Sequence, residues 1–263
     1  MPAIRLNSLG DPRLEPYRHL KDTNRTRWAE LFICEGEKLV RRLIASDFSI
    51  ESVLISHRFE EQLGSLAAPD VPLLILPDEL VEPLVGFNFH RGILACGRRR
   101  PNLALDELAP QNKRLTLVIC PEVQDPENLG AILRISAAFG VDAVLVGRGS
   151  ADPFSRRVLR VSMGASLRVP IRAAADIAAD IRHLRDWLDV ELAATVLDPT
   201  AEPLSTANRG DRFALLFGSE GHGLAPAIVA LCRRRITIPM QRGTDSLNVA
   251  VAAGIFLHHF GGS

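Results

Sequence analysis

Two segments near the end of the chain have the composition of ligand-binding loops. The apolar run 214–217 has the length of a buried strand and breaks into the segment 218–223, GSEGHG, whose glycines allow a ligand to approach the backbone closely. A second short strand, 235–238, is followed by a loop and by the segment 246–248, SLN, which opens a strongly apolar helix. We therefore predict a ligand site beside a parallel sheet, as in many nucleotide-binding proteins.

A polar pair lies earlier in the chain, at the start of another predicted helix. Asp125 and Pro126 signal a turn, and Asn128 falls in the first helical turn, where polar residues are favoured. Arg134 follows six residues later, close to two helical turns, so we expect it on the same side of the helix as Asn128. A polar pair on one face of an otherwise apolar helix suggests a functional role.

Together these segments resemble the signature motifs of the SpoU family, the TrmH-like branch of the SPOUT RNA methyltransferases. Motif one, Asn-x-Gly-x-x-x-Arg, falls on 128–134; motif two falls on 217–224, FGSEGHGL; and motif three falls on 238–240 with 246–249. The resemblance implies an α/β fold in which a C-terminal domain with a parallel sheet forms a trefoil knot. It also implies S-adenosylmethionine as the cofactor and a homodimer as the assembly.

The same resemblance implies a role for each matching residue. Arg134 would be catalytic, and four polar residues would orient it, the cofactor or the ribose: Asn128, Glu220, Ser246 and Asn248. Six residues would contact the cofactor, chiefly through backbone groups: Gly218, Ile238, Leu247, Leu216, Gly221 and Met240. Each residue alone also has a structural explanation, with Gly218 and Gly221 as turn glycines and Ser246 as a helix cap. Their joint occurrence in family order favours the functional explanation.

The reaction that the resemblance implies is methylation of a ribose 2′-hydroxyl in structured RNA, with ribosomal RNA favoured over transfer RNA. The family assigns the role of base to the motif-one arginine, here Arg134. A guanidinium ordinarily has a pKa above about 12 and acts only as a hydrogen-bond donor. Arg134 is therefore either a base after strong perturbation or a cation that grips a phosphate and stabilises developing alkoxide charge. The sequence leaves both roles open.

The pattern of predicted elements divides the chain into two α/β domains. Residues 1–100 form the first, residues 101–114 contain two prolines and have the composition of a linker, and residues 115–263 form the second. In the second domain, helices are predicted between strands, as in a parallel sheet covered by helices. Its first predicted strands are 115–120, 143–146, 167–171, 191–195 and 213–217, and its predicted helices include 127–139, 154–161 and 176–188.

Two phrases in the first domain carry a looser resemblance. The segments 32–36, FICEG, and 90–95, HRGILA, look like the RNA substrate-binding domain that precedes the catalytic domain in many SpoU enzymes. That domain is related to RNA-binding ribosomal proteins of the L30e type. The simpler interpretation is that Gly36 and Gly92 are turn residues in an ordinary α/β domain.

The whole-chain charge gives no indication of a nucleic-acid partner, because 31 basic residues balance 31 acidic ones. The basic residues nevertheless cluster, and almost all are arginine: Arg25 and Arg27 beside Trp28 on a predicted short helix, Arg41 and Arg42, 98–100, Arg156 with Arg157 and Arg160, and 233–235. Each cluster alone is more simply explained as a solvated face. Arginine nevertheless suits phosphate better than lysine does, because its guanidinium is a planar fork.

Several classes of protein are disfavoured. The four cysteines are scattered without a Cys-x-x-Cys pair, which indicates reduced core residues in a cytoplasmic protein and no metal site. His258 and His259 are adjacent, so they face different sides of a helix and make a poor metal pair. The longest apolar stretch, 249–257, is far shorter than the ~20 residues that cross a bilayer, so we expect no membrane span.

Three alternatives to an rRNA methyltransferase stay open on sequence grounds. The first is a methyltransferase of transfer RNA. The second is an RNA-binding or ribosome-assembly protein that kept the fold and lost the activity, against which the intact Asn128, Arg134 and Glu220 argue. The third is a methyltransferase that acts on a small molecule.

Overall fold

The computed structural model describes residues 3–21, 29–66, 70–111, 114–241 and 245–261. Within them the strands are β1 (Ala3–Arg5), β2 (Leu31–Glu35), β3 (Ile50–Ser56), β4 (Leu73–Leu76), β5 (Ile93–Arg98), β6 (Leu115–Cys120), β7 (Ala143–Gly147), β8 (Ile171–Ala174), β9 (Glu191–Thr195), β10 (Glu202–Pro203), β11 (Arg212–Leu216) and β12 (Arg234–Thr237). The helices are α1 (Glu37–Ile44), α2 (Glu60–Leu63), α3 (Asp78–Val85), α4 (Leu105–Leu108), α5 (Pro126–Ala138), α6 (Arg156–Val161), α7 (Ile177–Asp186), α8 (Pro226–Val229) and α9 (Val249–Gly261). The predicted short helix with Arg25, Arg27 and Trp28 lies outside the described residues, as do 112–113 of the predicted linker.

The chain forms two compact units, and the first comprises Met1–Pro101 with Phe154–Leu167. Its five-stranded sheet has the order β1-β4-β3-β5-β2, with β5 antiparallel to both of its neighbours. Side chains alternate between two buried faces, so Leu73 and Ile75 pack on the side of α1 while Leu74 and Leu76 pack on the side of α3. Both faces are therefore covered, which explains why these short strands are almost wholly apolar.

The segment Phe154–Leu167 joins the first unit, although the predicted boundaries placed it in the second domain. The ring of Phe154 lies with its centroid 5.1 Å from that of Phe32 and 5.6 Å from that of Phe48. Leu159 and Leu167 belong to the same apolar cluster as α1. The apolar side chains of this segment thus find their packing partners on the first sheet, so the sequence-based second domain is interrupted here.

The second unit comprises Asn102–Pro153 and Arg168–Ser263. Its seven strands run in the order β10-β12-β9-β11-β6-β7-β8 and all pair in parallel. Helix α7 buries Ile181 and Leu184 against the central strands β6 and β7. The predicted α/β architecture with a parallel sheet is confirmed.

Helices α5 and α9 pack against each other in this unit. Phe260 of α9 lies with its ring centroid 4.9 Å from that of Phe213, and the centroids of Phe256 and Phe217 are 5.9 Å apart. Aromatic pairs at these separations stabilise a fold beyond the area that they bury. They fix the final helix beside β11, whose end carries the glycine-rich segment.

One predicted strand is misplaced. We expected a strand at 167–171, but residues Ala165–Leu167 form a 3-10 turn and β8 begins only at Ile171. Pro170 explains the shift, because a proline has no N–H to donate to a strand ladder and so marks the position before the strand.

Candidate functional site

A cavity of about 740 Å³ lies at the carboxyl edge of the parallel sheet, within the second unit. Three loops form it, and each follows a strand: 195–198 after β9, 217–224 after β11, and 238–248 after β12. Positions 242–244 of the third loop lie outside the described residues. Parallel strands present their carboxyl ends at one edge, and that edge is where open α/β sheets bind their ligands.

The glycine-rich loop closes on itself at the cavity wall. Ser219 and Gly223 exchange backbone hydrogen bonds of 2.9 and 3.0 Å, and Gly223 has a φ of +66°. A Cβ atom at Gly218 would lie 2.1 Å from the carbonyl carbon of Gly223 and 2.3 Å from the nitrogen of Leu224. No side chain can occupy position 218 unless the backbone moves, so the closed loop requires glycine there.

Three motif residues form one hydrogen-bonded chain, which we call the amide chain: Asn248, Asn128 and Glu220. Asn248 donates from Nδ2 to Oδ1 of Asn128 over 2.8 Å, and Asn128 donates from Nδ2 to Oε1 of Glu220 over 2.7 Å. The Oδ1 atom of Asn248 accepts from the backbone N–H groups of Ala250 and Val251, at 2.9 and 3.2 Å. The hydrogen bonds to neighbouring residues therefore determine which end of each side-chain amide is the oxygen and which is the nitrogen.

The amide chain gives Asn248 a structural and a positioning role. Asn248 caps helix α9, a role that the sequence also allows for Ser246. The side chain of Asn248 also donates a hydrogen bond to Asn128. Asn128 is buried, with 8% of its surface exposed, whereas Glu220 and Asn248 are exposed at the cavity. The carboxylate of Glu220 is thus held through one oxygen, and Oε2 has no hydrogen-bond partner within the described part of the chain.

The structure brings together most of the residues expected from sequence. Eight of them line the cavity: Gly218, Glu220, Gly221, Ile238, Met240, Ser246, Leu247 and Asn248. Asn128 joins them through its hydrogen bonds. Leu216 does not line the cavity, because its side chain is buried in the sheet core. Only its backbone is near, with the carbonyl accepting from Oγ1 of Thr195 over 2.7 Å.

Arg134 does not lie with this group. Arg134 is exposed and does not line the cavity, and it has no hydrogen-bond or ion-pair partner among the described residues. The expectation that Arg134 shares the side of Asn128 is wrong, because six residues at about 100° each end roughly 120° away around the helix. Asn128 faces the interior and Arg134 faces solvent.

Arg134 is exposed on α5, the helix that packs against α9. Exposed apolar side chains of this helix pair are Phe139, directly after α5 and 40% exposed, Val251, 52% exposed, and Ile255, 39% exposed. Phe139 contacts His258 edge-on, with 6.0 Å between ring centroids, and Gly254 lies beside Ile135 across the helix pair. We call these residues, with Arg134, the α5/α9 face.

Sequence reasoning missed the contribution of β9 to the site. Thr195, Leu197 and Asp198 line the cavity, and Leu197 is 62% exposed there. The hydrogen bonds from Thr200 and the Arg235 guanidinium at 2.7 Å hold the pKa of Asp198 below its usual range. The strand 191–195 was predicted correctly, and the rule that ligands bind at the carboxyl edge would have indicated the residues that follow it.

The cysteines do not form a site. Burial raises the pKa of Cys96, Cys120 and Cys232 to about 12 and also raises that of Cys34, so these thiols stay protonated near neutral pH. In the described ranges, His, Cys, Asp and Glu side chains do not gather in groups of three or more that could hold a metal ion. Nor does this part of the chain contain a helix of the length and apolarity that a bilayer crossing needs.

Comparison with known proteins places these observations in a family. Residues 115–258 match the SpoU rRNA methylase family. A Mycobacterium bovis protein described as an uncharacterized tRNA/rRNA methyltransferase is 36% identical over 95% of this chain and 91% of its own. The 23S rRNA (guanosine(2553)-2′-O)-methyltransferase of Bacillus subtilis is 26% identical over 98% of this chain and 99% of its own. An AdoMet-bound rRNA methyltransferase from Sinorhizobium meliloti has a TM-score of 0.82 at 26% identity, covering 98% of this chain and 97% of that chain.

Proposed function

Since the chain belongs to the SpoU rRNA methylase family, we propose that it transfers the methyl group of S-adenosylmethionine to a ribose 2′-hydroxyl of ribosomal RNA. The observation that carries this proposal is the amide chain. It joins motif one, through Asn128, to motif two, through Glu220, and to motif three, through Asn248, beside a single cavity. Three segments far apart in sequence thus meet at one site in the arrangement that the family motifs imply.

The residues around the cavity suit S-adenosylmethionine. Apolar side chains such as Leu224, Ile238 and Leu247 alternate with exposed backbone of the glycine-rich loop, and the volume lies within the ~300–1,000 Å³ of ligand pockets. Gly218 keeps the wall free of a side chain where two backbone segments nearly touch. Glu220 adds a carboxylate that can face a cationic ligand. When bound, the cofactor supplies a methyl group on a sulfonium that is already electrophilic.

The protein must therefore orient the hydroxyl and manage its proton and charge. We assign the positioning of Glu220 to Asn128 and Asn248, with Oε2 of Glu220 available to accept a hydrogen bond from a ligand hydroxyl. We assign to Arg134 the contact with the RNA, where a cation next to the reacting sugar would grip a phosphate and stabilise developing negative charge. A base role for Arg134 stays an alternative within this proposal.

The exposed position of Arg134 favours a second copy of the chain as part of the site. The α5/α9 face carries exposed apolar side chains that a symmetric partner would cover, and a two-fold interface places the same patch on both copies. A dimer formed here would bring Arg134 of one copy towards a substrate held by the other. We therefore include a homodimer in the proposal.

Ribosomal RNA is the favoured substrate class over transfer RNA. The Bacillus subtilis relative named for 23S rRNA matches nearly the whole of both chains, first unit included. We assign RNA binding to the first unit, on the L30e-like phrases at 32–36 and 90–95, and a cytoplasmic location follows from such a substrate. Catalysis is assigned to the second unit.

The experiment compares Arg134→Ala with Arg182→Ala, which removes an exposed arginine of α7 that does not line the cavity. Purified protein is incubated with radiolabelled cofactor and unmethylated 23S rRNA transcribed in vitro, and methylated riboses are mapped by their resistance to alkaline cleavage. We expect Arg134→Ala to lower methyl transfer about 100- to 1,000-fold, with cofactor affinity in calorimetry unchanged and Arg182→Ala at the wild-type rate.

Other outcomes would contradict the proposal in distinct ways. Wild-type transfer by Arg134→Ala would remove that residue from the mechanism. A wild-type protein that does not bind the cofactor would support the inactive RNA-binding alternative. Cofactor binding with methylation of transfer RNA alone, or of no RNA, would support one of the other two alternatives.

A further inference from the structure

Four arginines of the first unit surround one buried carboxylate. They are Arg91, before β5, and Arg156, Arg157 and Arg160 of α6, and the carboxylate is Glu35 at the end of β2. We call this group the arginine cluster. On α6, residues three and four apart are neighbours on the helix surface, so Arg160 lies beside both Arg156 and Arg157. The guanidinium groups of Arg91, Arg156 and Arg160 all interact electrostatically with the single carboxylate of Glu35.

Glu35 and Arg156 make their contacts within the unit, although Nε of Arg156 is buried without a hydrogen-bond partner. Glu35 has only 7% of its side chain exposed and accepts from Nη2 of Arg156 over 2.5 Å. Arg156 also donates from Nη1 to the carbonyl of Leu20 over 2.8 Å, and its guanidinium carbon lies 4.0 Å from the ring centroid of Phe87. This pair therefore holds a fixed position beside the other arginines, and few of its hydrogen-bonding atoms remain available for a ligand.

Arg160 and Arg91 are not saturated. Arg160 has no hydrogen-bond or ion-pair partner in the described part of the chain. Burial, followed by the neighbouring charge of Arg157, lowers the pKa of Arg160. Arg91 lies 3.6 Å from Glu35 without a hydrogen bond and is 39% exposed. Its side chain crosses Gly36, where a Cβ would come within 3.3 Å of Cδ of Arg91. The first unit thus holds Arg91 and Arg160 near each other, and within the described residues neither guanidinium makes a side-chain hydrogen bond.

We propose that the arginine cluster binds the phosphodiester backbone of the RNA substrate, with Arg160 and Arg91 contacting phosphates and with Glu35 and Arg156 as positioning residues. This inference rests on the proposed function, because it takes RNA as the substrate. It adds a contact site on the first unit that the family motifs of the second unit do not contain.

The chemistry of the cluster favours phosphate over other anions. All four cations are arginines, whose planar fork matches the geometry of a phosphate in a bidentate contact. The whole chain has no net charge, so this concentration of arginines is a local feature and not a general basicity. A phosphate that binds there would offset the mutual repulsion of the guanidinium groups. An acidic protein segment is the other class of partner that such a cluster could take.

The test measures RNA affinity of Arg160→Gln in the full-length protein. The probe is unmethylated 23S rRNA transcribed in vitro, and filter binding is repeated between about 50 and about 200 mM KCl. Arg5→Gln is the matched control, since Arg5 is an exposed arginine of the same unit that lies on the opposite edge strand of the sheet and pairs with Glu60. Thermal unfolding and cofactor binding are measured for each variant.

We expect Arg160→Gln to weaken RNA binding about fivefold and to reduce the salt slope by about 1, the change for one lost phosphate contact. Arg160→Lys should keep part of the affinity, and Arg5→Gln should match the wild type. The midpoint of thermal unfolding should not fall in Arg160→Gln, because the substitution removes a repulsion. In turnover assays the KM for RNA should rise while kcat stays near the wild-type value.

Two results would overturn the inference. One is a lower unfolding midpoint with unchanged RNA affinity and salt slope, which would make Arg160 a structural residue. The other is lost binding of polyglutamate with unchanged RNA binding, which would assign the cluster to an acidic protein partner. Failure of the proposed function is separate, since a wild type that binds RNA through the cluster but transfers no methyl group would leave the inference standing.

Discussion

The amide chain of the second unit and the arginine cluster of the first differ in how far their polar side chains find partners within the protein. In the amide chain, both polar atoms of the Asn128 side chain bond to other residues of the protein: Nδ2 donates to Glu220, and Oδ1 accepts from Asn248. In the arginine cluster, the carboxylate of Glu35 interacts with Arg91, Arg156 and Arg160, and Arg160 has no hydrogen-bond or ion-pair partner in the described residues. The first arrangement positions side chains, whereas the second leaves charge available for a ligand.

This difference has an energetic basis. A hydrogen bond between protein groups contributes only about 0.5–1.5 kcal/mol net, but a polar group that loses its partner can cost more. A group of polar side chains that are all hydrogen-bonded to one another therefore holds fixed positions at a low cost in folding free energy. Clustered like charges destabilise the fold, and they persist where a ligand of opposite charge compensates them. We use this contrast to choose three further variants, from the largest expected effect on the reaction to the smallest.

The largest effect is expected at the cavity wall, which the amide chain helps to hold. Gly218→Ala should weaken cofactor binding at least about 100-fold, because a Cβ 2.1 Å from the carbonyl carbon of Gly223 forces the loop open. Gly64→Ala is the control, since Gly64 does not line the cavity and a Cβ there meets other atoms only at 3.9 Å, an ordinary contact. Calorimetry with S-adenosylmethionine measures both, and equal affinities for the two variants would show that the closed loop is not required.

A smaller effect is expected within the amide chain itself. Asn128→Ala should lower methyl transfer about 10- to 100-fold and the free energy of unfolding by about 1–2 kcal/mol, because Glu220 and Asn248 lose their common partner. Asn102→Ala is the matched control, since Asn102 also loses two hydrogen bonds, both to Ala173, outside the cavity.

Both asparagine variants are followed by chemical denaturation and by single-turnover methyl transfer. Asn102→Ala should lose a similar amount of stability at full activity. If the two variants lost activity in proportion to stability, the amide chain would have no positioning role and the contrast with the arginine cluster would disappear.

The smallest effect on the reaction is expected for the carboxylate of the arginine cluster. Glu35→Gln should lower the free energy of unfolding by about 2 kcal/mol, because Arg156 loses a buried ion pair. RNA affinity should be retained or slightly raised, since the net charge of the cluster increases. Glu60→Gln, which breaks the more exposed pair with Arg5, should cost at most about 1 kcal/mol. A marked loss of RNA affinity in Glu35→Gln would contradict this expectation and would show that the positioning of the arginines by Glu35 outweighs the added positive charge.

Much of the second unit could be predicted from sequence because its signals are local. The alternation of strands and helices predicted the parallel sheet, and motif one, motif two and motif three identified the family correctly. Glycines and short polar residues after strands marked two of the three loops around the cavity. The loop after β9 carries ordinary residues, Leu197 and Asp198, and only its place in the sheet order reveals it.

Other features depend on tertiary packing and could not be predicted. The segment Phe154–Leu167 has a helical pattern that fits either domain, and only the position of Phe32 and Phe48 decides where Phe154 packs. By contrast, the side of α5 on which Arg134 lies follows from the helical repeat, which places it about 120° from Asn128. The catalytic and cofactor roles of individual residues, and RNA binding by the first unit, stay predictions for the experiments above.

The sequence separations within the amide chain have a consequence for biosynthesis. Asn128 must find Glu220, 92 residues later, and Asn248, 120 residues later, near the end of the chain. A nascent polypeptide emerges from the ribosome in order, so the earlier parts can fold while Asn128 still lacks both partners. The site can be completed only once Asn248 has left the ribosome, and a shorter nascent copy would therefore be unable to modify the RNA around it.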